Sequence, residues 1–232
     1  MKIVYWSDYA CPYCYIGEVR LKKALAELPG AGNVQLEMKA FQLDSNAGQH
    51  AAETTAVRFA QKYALTLTEA ERRIEAISRL GQREGLDFKY ASTLFTNTLD
   101  AHRLTKLAQS QKDPELAEKV IDALFKAYFT DNKELADKEL LQKLGESCGL
   151  KADEVRELLA SDKYKDEVIR DEQEAARSGI HGVPLFVIGR YAVSGAQSTD
   201  DLKNVIARVL AEETPEAPKA GISCSSDGCR IK

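Results

Sequence analysis

The chain has 232 residues, of which 44% are hydrophobic and 29% charged, so it is large and apolar enough to fold on packing alone without structural disulfides. Its formal net charge is −4 and no segment is dominated by Lys or Arg, which argues against a protein that binds nucleic acid or an anionic membrane. The first apolar stretch is too short for a signal-peptide core, and no stretch reaches the roughly 20 apolar residues that span a bilayer, so we expect a cytoplasmic protein.

The N-terminal residues predict a strand, a helix and a second strand. Residues 3–6 are a short apolar run, as in a buried strand. Between residues 19 and 28, valine and leucine recur at helical spacing, and Pro29-Gly30 ends that helix. Residues 34–40 then alternate apolar and polar side chains, as in a half-buried strand. This order predicts a β-α-β unit, whose crossover is right-handed in nearly all known proteins.

From about residue 49 to residue 178 the pattern is helical. Thr68 and Glu71 are spaced as a capping box ahead of one amphipathic helix. Asp113 precedes Pro114, which predicts an N-cap with proline at the first helical position of another helix. Further apolar periodicity predicts several more helices in this stretch.

Strand character returns before the C-terminal end. Residues 183–188 predict a third strand, Gly189-Arg190 suits a type II′ hairpin turn, and residues 191–193 predict its partner strand. Ser198 is placed to cap a last helix.

The chain therefore predicts an α/β fold with β-α-β and β-β-α halves and a large α-helical insertion. The α/β domain is assigned to residues 1–48 and 162–212, and the inserted helical subdomain to residues 49–161. Residues 213–232 are rich in Thr, Pro, Ala, Gly and Ser and are expected to form a flexible tail.

The sequence Cys11-Pro12-Tyr13-Cys14 carries the clearest chemistry. Pro12 suits the first helical position, which makes Cys11 the cap residue and places its sulfur near unpaired backbone N–H groups and the positive end of the helix dipole. Both favour the thiolate, so Cys11 is the expected nucleophile. Cys14 lies one turn along the same face and is expected to be the more buried, less acidic resolving thiol.

A CxxC motif alone is also compatible with half of a zinc site or with two unrelated buried thiols. Its position between a strand and a helix of a β-α-β unit favours redox chemistry, which requires neither a metal ion nor an organic cofactor.

Val183-Pro184 is the second motif of interest. Proline is tolerated at the start of a strand, and the sequence alone does not decide whether its peptide bond is cis. In the functional interpretation a cis Pro184 turns the backbone of Val183 toward the thiols and offers it to an extended substrate peptide.

Together, these motifs resemble the DsbA-type thioredoxin-fold family, in particular its FrnE-like cytosolic branch. The matching segments are CPYCYIG at 11–17, GVPLFV at 182–187 and VSGAQ at 193–197. The resemblance implies a DsbA-like thioredoxin fold and a thiol-disulfide oxidoreductase in which Cys11 attacks, Cys14 resolves and Pro184 is cis.

The resemblance also implies further site residues. Asn97 and the run Ala-His-Arg-Leu at 101–104 resemble a helix beside the active site in that branch. The candidate substrate-binding residues are therefore Pro12, Tyr13, Asn97, His102 and Val183. Tyr13 occupies the position of a histidine in periplasmic DsbA, and the loss of that donor predicts a less oxidising disulfide.

Three other side chains are interpreted as structural. His181 is expected to be a solvated loop residue rather than one that tunes the thiols. Asp8 is expected to hold the loop before the CxxC motif through an Asx-turn rather than to transfer protons. Cys148 is expected to be a buried, inert thiol.

Cys224 and Cys229 form a second pair, and the Ser-Ser-Asp-Gly between them favours a turn. FrnE-like proteins can carry such a C-terminal pair, and our hypothesis is that it acts as a redox relay with Cys11. The alternatives are a zinc site shared with Cys11 and Cys14, and a tail without function.

The predicted function is reduction or isomerisation of protein or peptide disulfides, with glutathione or thioredoxin as the candidate electron donor and with neither nucleic acid nor membrane as a partner. One alternative is a glutathione-dependent enzyme such as 2-hydroxychromene-2-carboxylate isomerase or a kappa-class transferase. Those enzymes resemble this chain in fold but place Ser where Cys11 stands. A non-enzymatic alternative is a peptide-binding chaperone.

Overall fold

The computed structural model describes residues 1–213, 222–225 and 228–231, and the side chains of residues 1–212. Within them, a mixed four-stranded sheet has the order β2-β1-β3-β4. The strands are β1 (Lys2–Ser7), β2 (Gln35–Ala40), β3 (Leu185–Ile188) and β4 (Tyr191–Ser194). β1 and β2 run parallel, whereas β3 is antiparallel to both β1 and β4. This topology confirms the predicted β-α-β and β-β-α halves.

Helices surround the sheet and fill the sequence between its two halves. In chain order they are α1 (Pro12–Glu27), α2 (Thr55–Tyr63), α3 (Leu67–Arg83), α4 (Leu99–Ser110), α5 (Pro114–Phe129), α6 (Lys138–Cys148), α7 (Ala152–Ala160), α8 (Lys165–Arg177) and α9 (Thr199–Glu213). α1 packs against α9, and α8 packs against β2 and α4. Two further strands, β5 (Ile222–Ser225) and β6 (Gly228–Ile231), pair with each other.

Both faces of β1 are buried, which explains its continuous apolar run. Tyr5 belongs to the main core and stacks on Phe186 of β3, with ring centroids 5.7 Å apart. Trp6 points to the opposite face, where it packs with Ala175 of α8 and with Ile180, which follows α8. The alternation follows from the pleat of a strand, whose successive side chains leave opposite faces.

An aromatic cluster joins α1 to the helical region. Tyr15 of α1 stacks on Phe125 of α5 with ring centroids 4.9 Å apart. Phe129, one turn later on α5, stacks on Phe88 at 4.6 Å. Phe88 fits because Gly81 has no side chain, since a Cβ at Gly81 would lie 2.6 Å from Phe88 Cγ. These contacts fix α1, and with it the CxxC motif, against the helical region.

The predicted capping box at the start of α3 is wrong by two residues. Thr66 is the N-cap, its hydroxyl accepts from the Glu69 backbone N–H, and Glu69 accepts from the Thr66 backbone N–H in return. Both Thr-x-x-Glu spacings occur in this stretch. The earlier one is used because α2 ends at its C-cap Ala64, which is in the left-handed conformation with φ +51°. Thr66 is then extended and directly precedes α3.

The two other predicted N-cap residues agree with the structure. Asp113 caps α5 by accepting from the backbone N–H groups of Glu115 and Leu116. Ser198 accepts from the Asp201 N–H at the start of α9. β3 begins at Leu185 rather than at residue 183, and its pairing with β1 starts there, opposite Trp6.

No helix in the described part of the chain is long and apolar enough to cross a membrane. Of the predicted tail at residues 213–232, segments 214–221 and 226–227 and residue 232 lie outside the described residues.

Candidate active site

Cys11 is the N-cap of α1, in the extended conformation, and Pro12 occupies the first turn, as the sequence predicts. The Cys11 N–H donates to the Asp8 carbonyl at 3.0 Å, and the Cys14 N–H donates to the Cys11 carbonyl at 3.1 Å. These two backbone bonds close the loop between β1 and α1. Both cysteines are free thiols.

Cys11 holds the predicted cap position, but in this reduced state its side chain makes no capping hydrogen bond to the helix N–H groups. Its thiol instead donates to the Val183 carbonyl, with Sγ and O 3.5 Å apart. A protonated sulfur needs an acceptor for its hydrogen, and the free N–H groups of a helix start are donors.

Cys14 is the more deeply placed thiol, with 1% of its surface exposed against 5% for Cys11. Burial raises the pKa of the Cys14 thiol well above its usual value, and the hydrogen bond and charge of Cys11 act in the same direction. Desolvation penalises the thiolate, so Cys14 is held in its protonated form.

The Val183–Pro184 peptide bond is cis and lies directly across from Cys11. The Pro184 carbonyl accepts from the Gly195 N–H at 2.8 Å, which ties this loop to the end of β4. Gly17 allows α1 to approach the loop closely, since a Cβ at Gly17 would lie 3.2 Å from Pro184 Cγ and 3.1 Å from Phe186 Cζ.

Asp8 organises the loop before the CxxC motif. Its Oδ1 accepts from the Ala10 N–H at 3.3 Å, which is the predicted Asx-turn. Its Oδ2 accepts from the Leu43 N–H at 2.8 Å and so holds the segment after β2. His102 Nε2 lies 3.4 Å from Asp8 Oδ1, and both side chains are only 1% exposed.

Neither Asn97 nor His102 is among the residues that line the cavity in front of Cys11, and their assignment to substrate binding stays a prediction. His102 is buried, and its ring packs against the ring of Tyr9 beside Asp8. The Asn97 amide is used internally, because it donates to the Ser45 carbonyl and accepts from the Leu99 N–H.

A cavity of about 560 Å³ opens in front of Cys11. Pro12, Tyr13 and Val183, which the sequence nominated, line it. Its other walls come from the helical region and include Phe59, Tyr63, Ile77, Leu80, Tyr90, Phe95 and Tyr128. Sequence reasoning missed this wall, because its residues are separated along the chain and only packing brings them together.

Glu18, one turn beyond Cys14 on α1, was also missed. It is buried among core residues, and burial raises its pKa from 4.5 to about 7, while the nearby Lys22 opposes the rise. Lys22 Nζ lies 3.1 Å from Glu18 Oε1 and 2.5 Å from Asp122 Oδ1 of α5. No local pattern in the sequence of α1 marks this glutamate as buried.

The C-terminal pair is described only by its backbone. Cys224 of β5 stands opposite Cys229 of β6 in the register of the two strands. The predicted turn includes residues 226–227, which lie outside the described residues. Their side chains lie outside the described residues, so both the relay and the shared zinc site stay predictions. Among the side chains described, no group of three or more His, Cys, Asp and Glu is arranged to hold a metal ion.

The arrangement of strand, CxxC helix start and cis-proline loop can be compared with known proteins. A family model described as DSBA-like thioredoxin domain matches residues 2–207. The chain belongs to this DSBA-like family. A probable DsbA oxidoreductase from Streptomyces coelicolor is 34% identical with a TM-score of 0.85, over 100% of this chain and 99% of that one.

Two more distant structures share the fold of the DSBA-like domain. The cytosolic disulfide reductase DsbM from Pseudomonas aeruginosa has a TM-score of 0.63 at 16% identity, over 91% of this chain and 100% of that one. A 2-hydroxychromene-2-carboxylate isomerase has a TM-score of 0.69 at 14% identity, over 91% of this chain and 97% of that one.

Two further predictions concern residues of the DSBA-like domain outside the site. His181 is exposed, as expected of a loop residue. Cys148 is half-buried rather than buried, because it ends α6 and its thiol faces the Lys119 carbonyl, with Sγ and O 3.7 Å apart.

Proposed function

We propose that the protein is a thiol-disulfide oxidoreductase that reduces peptide or protein disulfides through Cys11 and Cys14. The observation that carries this proposal is the pair of free thiols at the start of α1, one against the Val183 carbonyl at the edge of an open cavity and the other buried behind it. Membership of the DSBA-like family supports the same reaction class.

The proposed reaction has two exchange steps. The Cys11 thiolate attacks one sulfur of the substrate disulfide, which forms a mixed disulfide and expels the other substrate sulfur as a thiolate. Cys14 then loses its proton and attacks the Cys11 sulfur, which expels the second substrate thiolate and leaves a Cys11–Cys14 disulfide. Two electrons pass from the protein to the substrate, and an external dithiol or two molecules of glutathione restore the reduced pair.

The Val183 backbone and the buried Cys14 have different roles in this reaction. The backbone at Val183 offers polar groups beside Cys11, and an extended substrate segment can pair with such an edge. Burial keeps Cys14 protonated, so the mixed disulfide forms before the second thiol reacts. Pro184 holds this backbone across from the thiol.

We propose the cytoplasm as the place of action and glutathione or thioredoxin as the electron donor. The similar fold of DsbM, named a cytosolic disulfide reductase and solved with GSH, supports this choice. The branch assignment to FrnE-like proteins and the exchange between Cys11 and the pair Cys224–Cys229 belong to the same proposal.

The test is reduction of insulin disulfides by the purified protein with glutathione or thioredoxin as donor. We expect Cys11→Ser to abolish the activity and Cys14→Ser to accumulate a mixed disulfide. Cys148→Ser is the matched control, since it removes a thiol outside the site, and it should keep the wild-type rate. Full activity of Cys11→Ser would contradict the proposal.

The fold shared with 2-hydroxychromene-2-carboxylate isomerase supports a glutathione-dependent isomerase as the second candidate. The same variants separate the two. An isomerase has no use for a resolving thiol, so it would keep full activity as Cys14→Ser. A peptide-binding chaperone would suppress aggregation equally well as Cys11→Ser.

A further inference from the structure

The cavity in front of Cys11 carries an excess of positive charge. Arg58, Lys62 and Arg73 line it, and its described lining contains no Asp or Glu. The whole chain has a net charge of −4, so the sign of the cavity is opposite to that of the protein. We propose that the cavity selects disulfides in acidic peptide segments. This inference rests on the proposed function and names its substrate class.

Two of the three cations are free to meet a ligand. Arg58 Nη2 is paired with Asp44 Oδ2 at 3.2 Å, and its guanidinium lies over the Phe95 ring. Within the described residues, Lys62 and Arg73 form neither an ion pair nor a hydrogen bond.

Glu69 lies one turn before Arg73 on α3, and the two interact through their charges without forming an ion pair. The Glu69 carboxylate accepts instead from the backbone N–H and the hydroxyl of Thr66 in the capping box. The Nζ of Lys62 lies over the ring of the neighbouring Tyr63, 5.8 Å from its centroid. Both cations are exposed, so an entering carboxylate can reach them without a rearrangement of the core.

The cavity walls indicate what else the substrate contains. Its volume of about 560 Å³ lies in the range of about 300–1,000 Å³ typical of ligand pockets, which suits a few residues of an extended segment. Phe59, Ile77 and Leu80 provide an apolar wall for a neighbouring side chain. The occupant is therefore a cysteine flanked by acidic residues and at least one apolar residue.

Exposed cations act mainly on the rate of encounter and on the choice of partner rather than on affinity. The effect of Lys62 and Arg73 should therefore appear in the second-order rate constant for disulfide reduction. It should also weaken as ionic strength rises, because salt screens charges on the surface.

The experiment compares three disulfide peptides that differ only in flanking Glu, Gln or Lys residues. We expect wild-type protein at low salt to reduce the Glu peptide about tenfold faster than the Lys peptide, within the range of electrostatically steered encounters. The ratio should approach one in about 0.5 M salt. Lys62→Glu/Arg73→Glu should invert the ratio, and Lys62→Gln/Arg73→Gln should abolish it.

Arg72→Glu is the matched control, because Arg72 neighbours Arg73 on α3 but does not line the cavity. It should leave the Glu-to-Lys ratio unchanged, and an equal shift in this variant would overturn the inference. Equal rates on all three peptides would overturn it too, while leaving the proposed function intact. Reduction of none of them would overturn the proposed function and the inference together. Faster reduction of oxidised glutathione than of the Glu peptide would point to a small molecule and contradict a peptide occupant.

Discussion

Single buried side chains set the chemical properties of α1. Cys14 and Glu18 lie one turn apart on this helix, and burial raises the pKa of both, which favours the neutral thiol and the neutral carboxylic acid. A neutral Cys14 suits a second thiol that must wait for the mixed disulfide. Glu18 has no such role in the proposed reaction, but its burial affects the stability of the folded protein.

The burial of Glu18 predicts a stability that falls as pH rises. The folded state keeps the Glu18 proton up to about pH 7, whereas the unfolded chain releases it near pH 4.5, so the free energy of unfolding decreases between these values. Glu18→Gln should remove up to about 3 kcal/mol of this decrease, at 1.36 kcal/mol per pKa unit. Urea unfolding at pH 5 and pH 8 measures it.

The charged residues that act on the Glu18 pKa are Lys22, Asp122 and Glu118, and all three remain in that variant. Glu75→Gln serves as the control, because Glu75 is exposed on α3. Equal pH dependence of the Glu18 and Glu75 variants would show that the buried carboxyl does not titrate in this window.

At the scale of secondary structure, α1 is the element that assembles the site. Its first turn holds both cysteines, Tyr15 anchors it to α5, and Gly17 rests against the cis-proline loop. Arg20 then donates to the Ala196 carbonyl beyond β4. The distance between Cys11 and Val183 therefore depends on how closely α1 packs on this loop.

Gly17→Val tests this dependence. The added side chain starts 3.1 to 3.2 Å from Phe186 and Pro184, so these neighbours must move. We expect a loss of about 1–3 kcal/mol in stability, as for other overpacked positions, and a several-fold lower rate of insulin reduction by the folded protein.

Gly145→Val is the matched control for Gly17→Val. A Cβ at Gly145 meets Val155 and Leu104 at 3.1 and 3.2 Å, the same degree of crowding but in α6. It should lower the midpoint of urea unfolding without changing the rate of the folded protein. A wild-type rate for Gly17→Val would mean that the packing of α1 does not position the thiol.

At the scale of the whole molecule, the length of chain between α9 and Cys224 limits how far the C-terminal cysteines lie from α9. The last helix ends at Glu213, and Cys224 lies 224 − 213 = 11 residues further on, which span at most about 36 Å. A tether of this length gives its cysteines an effective concentration in the mM range around its anchor. Exchange with Cys11 would then outpace exchange with a dilute external dithiol.

Truncation after Glu213 tests the relay. We expect re-reduction of the Cys11–Cys14 disulfide by dilute glutathione to slow about tenfold, because the tethered pair no longer delivers electrons at high local concentration. Cys224→Ser/Cys229→Ser in the full chain should slow re-reduction equally. Because this variant keeps the whole tail, it shows whether the two thiols themselves are responsible for the effect. Unchanged rates in both variants would contradict the relay.

The sequence by itself determined the features whose parts are adjacent along the chain. The CxxC motif at a strand-helix junction, the Gly-Val-Pro run and the order of strands and helices each depend on local spacing, because caps, turns and periodicity are local effects. They sufficed to predict the fold, and the family was predicted by the resemblance of these motifs to the DsbA-type family. The position of Asp8 in an Asx-turn was predictable for the same reason.

Only the tertiary structure decided the features that depend on contacts between distant segments. These are the direction of the Cys11 thiol toward Val183, the burial of His102 beside Asp8 and the raised pKa of Glu18. The presence of Lys62 and Arg73 in the lining of the cavity in front of Cys11 is another. Desolvation and cavity shape arise when remote helices pack together, and no local spacing of residues encodes which side chains then face one another.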